Sequence, residues 1–189
     1  MNLPNQLTVA RLILSVVFVA CLSVQFAFNH TLALALFIVA TVTDYLDGQI
    51  ARKYGLITDF GKLMDPLADK ILTAAAFICL IPSQALPAWV VIVIIAREFL
   101  ITGLRLLAGA KGVVLPAEKL GKHKTAWQMG TIIFFLLLLA LDDWNSGHFD
   151  WAAWAWNYVG GTMVAITTVL TVYSGAGYFW KNRALIETA

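Results

Sequence analysis

The chain has 189 residues, of which 60% are hydrophobic and only 13% are charged. A soluble domain carries about 25% charged residues, so this composition excludes a soluble globular fold and indicates a multi-pass membrane protein. The net charge of +2 says little by itself, and we expect no nucleic-acid partner. Cys21 and Cys79 both lie in apolar segments, which is typical of buried thiols and gives no sign of a disulfide.

The apolar segments predict an all-α fold with six transmembrane helices. A spanning helix needs about 20 residues, and polar or turn-forming residues separate the apolar segments. We expect a single membrane-embedded domain over residues 1–189. Its helices should cover about 8–28, 31–53, 59–81, 88–110, 117–141 and 151–180.

The basic residues predict which side of the membrane each helix end faces. The segments 29–31, 82–87 and 142–150 contain no Lys or Arg, whereas the opposite helix ends carry them. Because Lys and Arg concentrate on the cytoplasmic side, both termini should be cytoplasmic, as six spans require. Four tryptophans between residues 144 and 156 are typical of an interfacial belt on the outer side.

Four aspartates stand beside these apolar segments, two on the second helix and two on the third. Asp44 and Asp47 are three residues apart and share one helix face. Asp65 and Asp69 are four residues apart and also share a face. Carboxylates at membrane depth are unfavourable unless a partner neutralises them. With no His or Cys nearby, the cluster predicts a site for Mg²⁺ or Mn²⁺, and less readily for Ca²⁺.

Residue counting places these carboxylates at a common depth. At about 1.5 Å per residue, the 14 residues from His30 to Asp44 span about 21 Å. The 13 residues from Asp69 to Pro82 span about 20 Å. Both aspartates therefore fall in the cytoplasmic half of a hydrocarbon core about 30 Å thick, where ordinary interfacial charges are rare. Asp59, at the start of the third helix, is explained equally well as a helix cap or as a further ligand.

The aspartates and the small residues between them form a pattern that resembles a known signature. Its fixed residues are Asp44, Asp47, Gly48, Ala51, Arg52, Gly61, Asp65 and Asp69. These types and spacings are similar to those of the CDP-alcohol phosphatidyltransferase family, and the six-helix topology resembles that family over essentially the whole chain. Softer similarities, to members that use sn-glycerol 3-phosphate, lie at 4–8 with Arg11, at 96–98 with 103–105, and at 121–125, where His123 replaces an expected small apolar residue.

The resemblance implies a reaction and a set of roles. Such enzymes transfer a phosphatidyl group from CDP-diacylglycerol to an alcohol and release CMP. Here the implied acceptor is sn-glycerol 3-phosphate, and the product is phosphatidylglycerophosphate, a phospholipid precursor. Two divalent cations, Mg²⁺ or Mn²⁺, would be held by Asp44, Asp47 and Asp65, with Asp69 near the metals as the general base. The resemblance also implies a homodimer in the bacterial inner (plasma) membrane, with its active site facing the cytoplasm.

The residues between the aspartates resemble the nucleotide-contacting positions of the family. Gly48, Ala51 and Gly61 would let the cytidine of CDP-diacylglycerol lie against the helices. Arg52 would pair with a phosphate or with Asp59. The alternative for Arg52 is a cytoplasmic anchor of the second helix.

A phosphorylated acceptor needs cations beside the aspartates, and the fourth and fifth helices provide them. Arg97 lies ten residues after Pro87, about 15 Å deep, where an arginine usually has a function, although Glu98 would neutralise it. Arg105 follows two turns later, and Lys122 stands at the cytoplasmic end of the fifth helix. We expect these three basic residues to bind the acceptor phosphate.

Other residues of the fifth and sixth helices receive a structural interpretation. We expect Lys119 and Lys124 to anchor the chain at the membrane surface. The small residues at 160–161 and 174–177 permit close helix packing or open a lateral gate for lipid, and the sequence does not decide between these two.

Two other functions stay open from the sequence. Inositol phosphate or serine is a possible alternative acceptor, although three basic residues favour a phosphorylated one. A divalent-cation transporter also needs carboxylates within the membrane. Transporters tend to show repeats in matching halves, whereas the acidic cluster here is confined to one half of the chain.

Overall fold

The structure is a computed structural model that describes most of the backbone. The described residues are 3–54, 59–110, 112–113, 119–145 and 150–183. Within these ranges, side chains are described except at 3–5, 45–54, 59–63, 65–66, 110, 119–120, 145 and 150.

Every secondary-structure element in the described ranges is helical, which confirms the predicted all-α fold. The first five helices are α1 (Leu3–Ser23), α2 (Asn29–Tyr54), α3 (Asp59–Cys79), α4 (Ala88–Ala110) and α5 (Lys119–Asn145). The sixth helical segment is composed of three parts that are continuous with one another: α6 (Asp150–Trp154), a π-helical segment (Ala155–Gly160) and α7 (Gly161–Lys181).

Several of these helices have the length and composition of membrane spans. Among the described residues, three segments are long and apolar enough to cross a bilayer, namely Gln6–Ser23, Gly121–Trp144 and Trp151–Lys181. The part of α2 whose side chains are described, Asn29–Asp44, is a shorter apolar segment. These segments support a multi-pass membrane protein, whereas the count of six spans and the orientation of the termini stay predictions. The α4 sequence is interrupted by Arg97, Glu98 and Arg105.

The first turn lies earlier than predicted, because α1 ends at Ser23 and α2 already begins at Asn29. Phe28 adopts a left-handed backbone conformation with φ of 63°. The Asn29 side-chain amide donates to the carbonyl oxygens of Cys21 and Val24, each at 3.4 Å. These bonds satisfy carbonyl groups at the end of α1 and so explain why the chain turns before Asn29. By contrast, α4 spans the predicted 88–110.

The apolar core is built from α1 to α5. Phe18, Phe37, Phe77 and Phe135 are each fully buried and come from α1, α2, α3 and α5. The Phe18 and Phe37 rings lie 5.8 Å apart. Replacing one such ring by alanine typically costs about 3–5 kcal/mol of stability. This core holds the helices together near the end of the bundle that contains the α1–α2 and α3–α4 connections.

Gly160, at the end of the π-helical segment, provides a flat surface for an α5 side chain. A Cβ atom on Gly160 would lie 2.6 Å from Cζ of Phe135. The Phe135 ring also meets Trp156 edge-on, with centroids 4.8 Å apart. At Gly160, therefore, the absence of a side chain serves close helix packing, one of the two roles expected from the sequence.

The beginning of α2 is tied to the end of α5 by one carboxylate. Asp143 accepts hydrogen bonds from the Thr31 backbone N–H at 2.8 Å and from the Thr31 hydroxyl at 2.9 Å. It also contacts His30 Nδ1 at 2.7 Å. A carboxylate at this position satisfies free N–H groups and complements the helix dipole. His30 therefore has a structural partner far along the helix from Asp44.

Candidate active site

α1 brings a buried cation to the predicted metal site. Arg11 is fully buried, and its Nη1 atom lies 2.5 Å from Oδ1 of Asp44. Asp69 interacts electrostatically with both Asp44 and Arg11. α1 packs against both α2 and α3, which contact each other much less than they contact α1. The two described aspartates of the cluster are therefore gathered around α1, although they lie on different helices.

Arg11 was expected only as part of a softer motif, and its contact with Asp44 was not predicted. Its side chain is the single charged group of an otherwise apolar or neutral helix. An isolated arginine in such a segment is usually buried against an acidic partner. That signal was available in the sequence and pointed to an acidic neighbour within the membrane.

A cavity of about 500 Å³ opens beside Asp69 between α3, α4 and α5. All three residues predicted to bind the acceptor phosphate line this cavity. The charged residues of its lining are Lys70, Arg97, Arg105, Lys122 and Lys124, together with the acidic Asp69 and Glu98. Because the basic side chains outnumber the acidic ones by three, this cationic cavity is suited to a dianionic ligand such as a phosphate monoester.

Glu98 organises the basic residues of the cationic cavity. Its Oε1 atom accepts a hydrogen bond from Arg97 Nη1 at 3.1 Å and forms an ion pair with Lys124. Its backbone carbonyl oxygen lies 3.5 Å from Nζ of Lys70. Glu98 thus neutralises part of the charge, as the sequence suggested for Arg97, and it also orients cations from α3, α4 and α5.

The expectation that Lys124 anchors the chain at the membrane surface is wrong. Its side chain is only 2% exposed and is paired with Glu98. Lys124, Gln128 and Thr131 follow one another at spacings of four and three residues, and all three are buried. They form the inner face of α5, so helical periodicity could have revealed the inward orientation of Lys124. Lys119 lies outside the described side chains.

Two arginines of the cationic cavity also contact α7. Arg97 Nη2 donates to the Ser174 hydroxyl at 3.2 Å. Arg105 Nε donates to the Tyr178 hydroxyl at 3.3 Å. Neither Ser174 nor Tyr178 was predicted from the sequence to contact these arginines. Their buried positions follow from the four-residue spacing of polar side chains on an apolar helix, which could have indicated a polar face.

Comparison with known proteins decides the family. Residues 1–173 match the model of the CDP-alcohol phosphatidyltransferase family. The chain belongs to this family. It is 39% identical, over 202 aligned positions, to the CDP-diacylglycerol–glycerol-3-phosphate 3-phosphatidyltransferase of Bacillus subtilis, covering 100% of this chain and 98% of that protein.

Other bacterial relatives agree with this membership. The protein of the same name from Rickettsia felis is 37% identical over 180 positions, covering 94% of this chain and 93% of the relative. A probable phosphatidylglycerophosphate synthase of Mycobacterium tuberculosis is 38% identical over 182 positions, covering 94% and 79% of the two chains. As a CDP-alcohol phosphatidyltransferase, the chain is a membrane transferase of a family that generally depends on divalent metals.

Most of the phosphatidyltransferase motif falls outside the described side chains. This applies to Asp47, Gly48, Ala51, Arg52, Gly61 and Asp65, and Asp59, which is not part of the motif, also lies outside them. Among the described side chains, no group of three or more His, Cys, Asp or Glu residues could hold a metal. Of the four predicted metal ligands, only Asp44 and Asp69 have described side chains.

The described residues nevertheless fit a divalent cation. The Asp44 side chain is 42% exposed, so its carboxylate is accessible to a ligand as well as to Arg11. Asp69 lines the cationic cavity and is accessible from there. Both are hard oxygen donors of the kind that Mg²⁺ and Mn²⁺ prefer. The four-aspartate metal site stays a prediction that these two positions support.

Proposed function

We propose that this protein transfers the phosphatidyl group of CDP-diacylglycerol to sn-glycerol 3-phosphate, giving phosphatidylglycerophosphate and CMP. The observation that carries the proposal is the cationic cavity beside Asp69, which combines a carboxylate with an excess of basic side chains. A phosphorylated alcohol needs both, since its phosphate requires cations and its hydroxyl requires a proton acceptor. The Bacillus subtilis and Rickettsia felis relatives carry the name of this reaction.

On the donor side, the proposal assigns the aspartates to metal binding. Asp44, Asp47, Asp65 and Asp69 would hold two divalent cations, Mg²⁺ or Mn²⁺. Such cations neutralise the diphosphate of CDP-diacylglycerol and stabilise the charge that develops on the departing CMP. The remaining motif residues, Gly48, Ala51, Arg52 and Gly61, would receive the CDP group.

On the acceptor side, Arg97, Arg105 and Lys122 bind the phosphate of glycerol 3-phosphate. Asp69 accepts the proton of the attacking hydroxyl group. The hydroxyl oxygen forms a bond to the phosphorus that carries the diacylglycerol. The bond from that phosphorus to the bridging oxygen breaks, and CMP leaves with the electron pair. Glu98 keeps Arg97 and Lys124 oriented while the phosphate binds.

The proposed setting is the inner (plasma) membrane of a bacterium, with the active site facing the cytoplasm and two copies forming a homodimer. Glycerol 3-phosphate and CMP are water-soluble, so the site must be open to an aqueous compartment. The distribution of basic residues supports an opening on the cytoplasmic side.

Release of CMP from CDP-diacylglycerol by the detergent-purified protein tests the proposal. We expect release with Mg²⁺ or Mn²⁺ and glycerol 3-phosphate, and little release with inositol phosphate or serine. Turnover with one of those other acceptors but not with glycerol 3-phosphate would contradict the acceptor assignment. No release with any alcohol, together with divalent-cation uptake into proteoliposomes, would contradict the proposed transferase reaction and indicate a transporter.

A further inference from the structure

α7 carries a buried polar face that the proposed reaction does not use. Thr167, Thr171, Ser174 and Tyr178 are each at most 2% exposed, although most of this helix is apolar. Their successive spacings of four, three and four residues place them on one side of the helix. Buried polar groups at membrane depth need partners, so this face indicates specific contacts with other helices.

The half of this face that is nearer the start of α7 contacts α5. The hydroxyl groups of Thr167 and Thr131 lie 2.9 Å apart. The Gln128 side-chain amide donates to the Thr171 hydroxyl at 3.5 Å. These contacts fix the position and rotation of α7 relative to α5, whose Lys124 belongs to the cationic cavity.

The other half of the face contacts the two arginines of α4. Ser174 accepts from Arg97 and Tyr178 accepts from Arg105, as described above. The Arg105 guanidinium carbon also lies 5.6 Å from the centroid of the Tyr178 ring. A guanidinium group has five N–H donors, so one such bond orients the group and leaves donors for a ligand.

The absence of a side chain at Gly175 leaves space for the aliphatic part of the Arg97 side chain. A Cβ atom on Gly175 would lie 2.8 Å from Cγ of Arg97, which is too close for the present side-chain path. On the same helix, a Cβ atom on Gly177 would meet nothing within 4 Å. The small residues at 174–177 therefore include one with a defined packing role at an arginine of the cavity.

We propose that Ser174, Gly175 and Tyr178 are positioning residues that hold Arg97 and Arg105 in the orientation that binds the acceptor phosphate. This inference rests on the proposed function, because it assigns the two arginines to the acceptor. Long side chains lose rotamer freedom when they bind a ligand, and a partner that orders them beforehand lowers this loss. The effect therefore falls on acceptor binding, whereas CDP-diacylglycerol binding depends on the aspartate motif.

The first test compares Gly175→Ala with the matched control Gly177→Ala. We expect Gly175→Ala to raise KM for glycerol 3-phosphate about tenfold, because Arg97 must move, with KM for CDP-diacylglycerol unchanged. Gly177→Ala should leave both constants and the Tm as in the wild type. An unchanged acceptor KM in Gly175→Ala, or an equal rise in the control, would overturn the inference.

A second variant tests the inference even if Gly175→Ala fails to fold. Tyr178→Phe keeps the ring over Arg105 and removes only the hydroxyl group, so the helix should pack as before. We expect KM for glycerol 3-phosphate to rise about threefold, from the loss of one hydrogen bond. A change in kcat or in the donor KM instead, at constant acceptor KM, would contradict the positioning role.

Binding of inorganic phosphate separates this inference from the proposed reaction. Phosphorus NMR titration of the purified protein should give a weaker phosphate Kd for Gly175→Ala and Tyr178→Phe than for the wild type and Gly177→Ala. If the wild type does not use glycerol 3-phosphate, the proposed function is wrong. A weaker phosphate Kd in Gly175→Ala and Tyr178→Phe would still support the positioning of the two arginines. Equal Kd values in all four proteins would overturn the positioning even if the wild type is active.

Discussion

The carboxylates at the two ends of the helical bundle differ in exposure and in their contacts. At the capped end, formed by residues 23–31, 79–88 and 140–144, Asp143 is 8% exposed and has contacts to His30 and Thr31. At the charged end, formed by Arg11, Asp44, Asp69 and the cationic cavity, Asp44 is 42% exposed and Asp69 faces a cavity.

The difference distinguishes a carboxylate that is bound within the fold from two carboxylates that are accessible to a ligand. Asp143 has a structural role, because both of its carboxylate oxygens contact residues at the N-terminus of α2. The charged end retains accessible oxygens and an excess of cations, which stability alone does not require. Chemistry is therefore expected at the charged end, and removal of each carboxylate should affect a different property.

The largest expected effect is on catalysis, in Asp69→Asn. Loss of the proposed proton acceptor and metal ligand should lower kcat by about 10²–10⁴-fold in the CMP-release assay, with little change in Tm. The matched variant at the capped end is Asp143→Asn, which should retain kcat. Wild-type turnover in Asp69→Asn would show that the base lies elsewhere.

Metal removal should act on the charged end alone. Treatment with EDTA should reduce CMP release to background, and excess Mg²⁺ or Mn²⁺ should restore it, because the donor diphosphate needs cations. The helical circular dichroism signal should stay constant, since the apolar core of the described residues contains no carboxylate. Full activity in the chelator would contradict the assignment of the aspartates to metal binding.

Glu98→Gln should destabilise the protein by about 3–5 kcal/mol, because it leaves Lys124 buried without its opposite charge. Thermal unfolding in detergent measures this change. The control is the double variant Glu98→Gln with Lys124→Met, in which the unpaired charge is absent and stability should return. If the double variant is no more stable than Glu98→Gln, the ion pair is not the cause.

Asp143→Asn provides the corresponding stability test at the capped end. It should cost about 1–3 kcal/mol, because an amide cannot replace all the contacts to His30 and Thr31. The shift in Tm measures this cost, and kcat per folded molecule is the control. A fall in kcat without a fall in Tm would remove the distinction between the two ends.

Gly160→Ala should have a similar or smaller effect on stability, about 1–3 kcal/mol, because the new methyl group meets the Phe135 ring. Gly161→Ala is the control, since a Cβ atom there would meet nothing within 4 Å. The Tm difference between the two variants measures the packing role. Equal Tm values would mean that the ring moves aside freely.

Much of the lining of the cationic cavity could be predicted from helix depth and charge. Arg97, Arg105 and Lys122 were expected beside the aspartates, and they line one cavity with Asp69. The inward orientation of Lys124 was missed, because a lysine near a helix end is usually a surface anchor. Its burial depends on Glu98 of another helix, and a pairing across 26 residues is not visible in local sequence.

The sequence by itself determined the membrane class, the all-α fold and the family, because composition, apolar length and the aspartate spacing are local properties of the chain. Only the tertiary structure decided the partners: Arg11 with Asp44, Glu98 with Lys124, and Ser174 and Tyr178 with the two arginines of α4. The physical reason is that a buried charge or hydroxyl group selects its partner by distance and orientation, which depend on how the helices pack against one another.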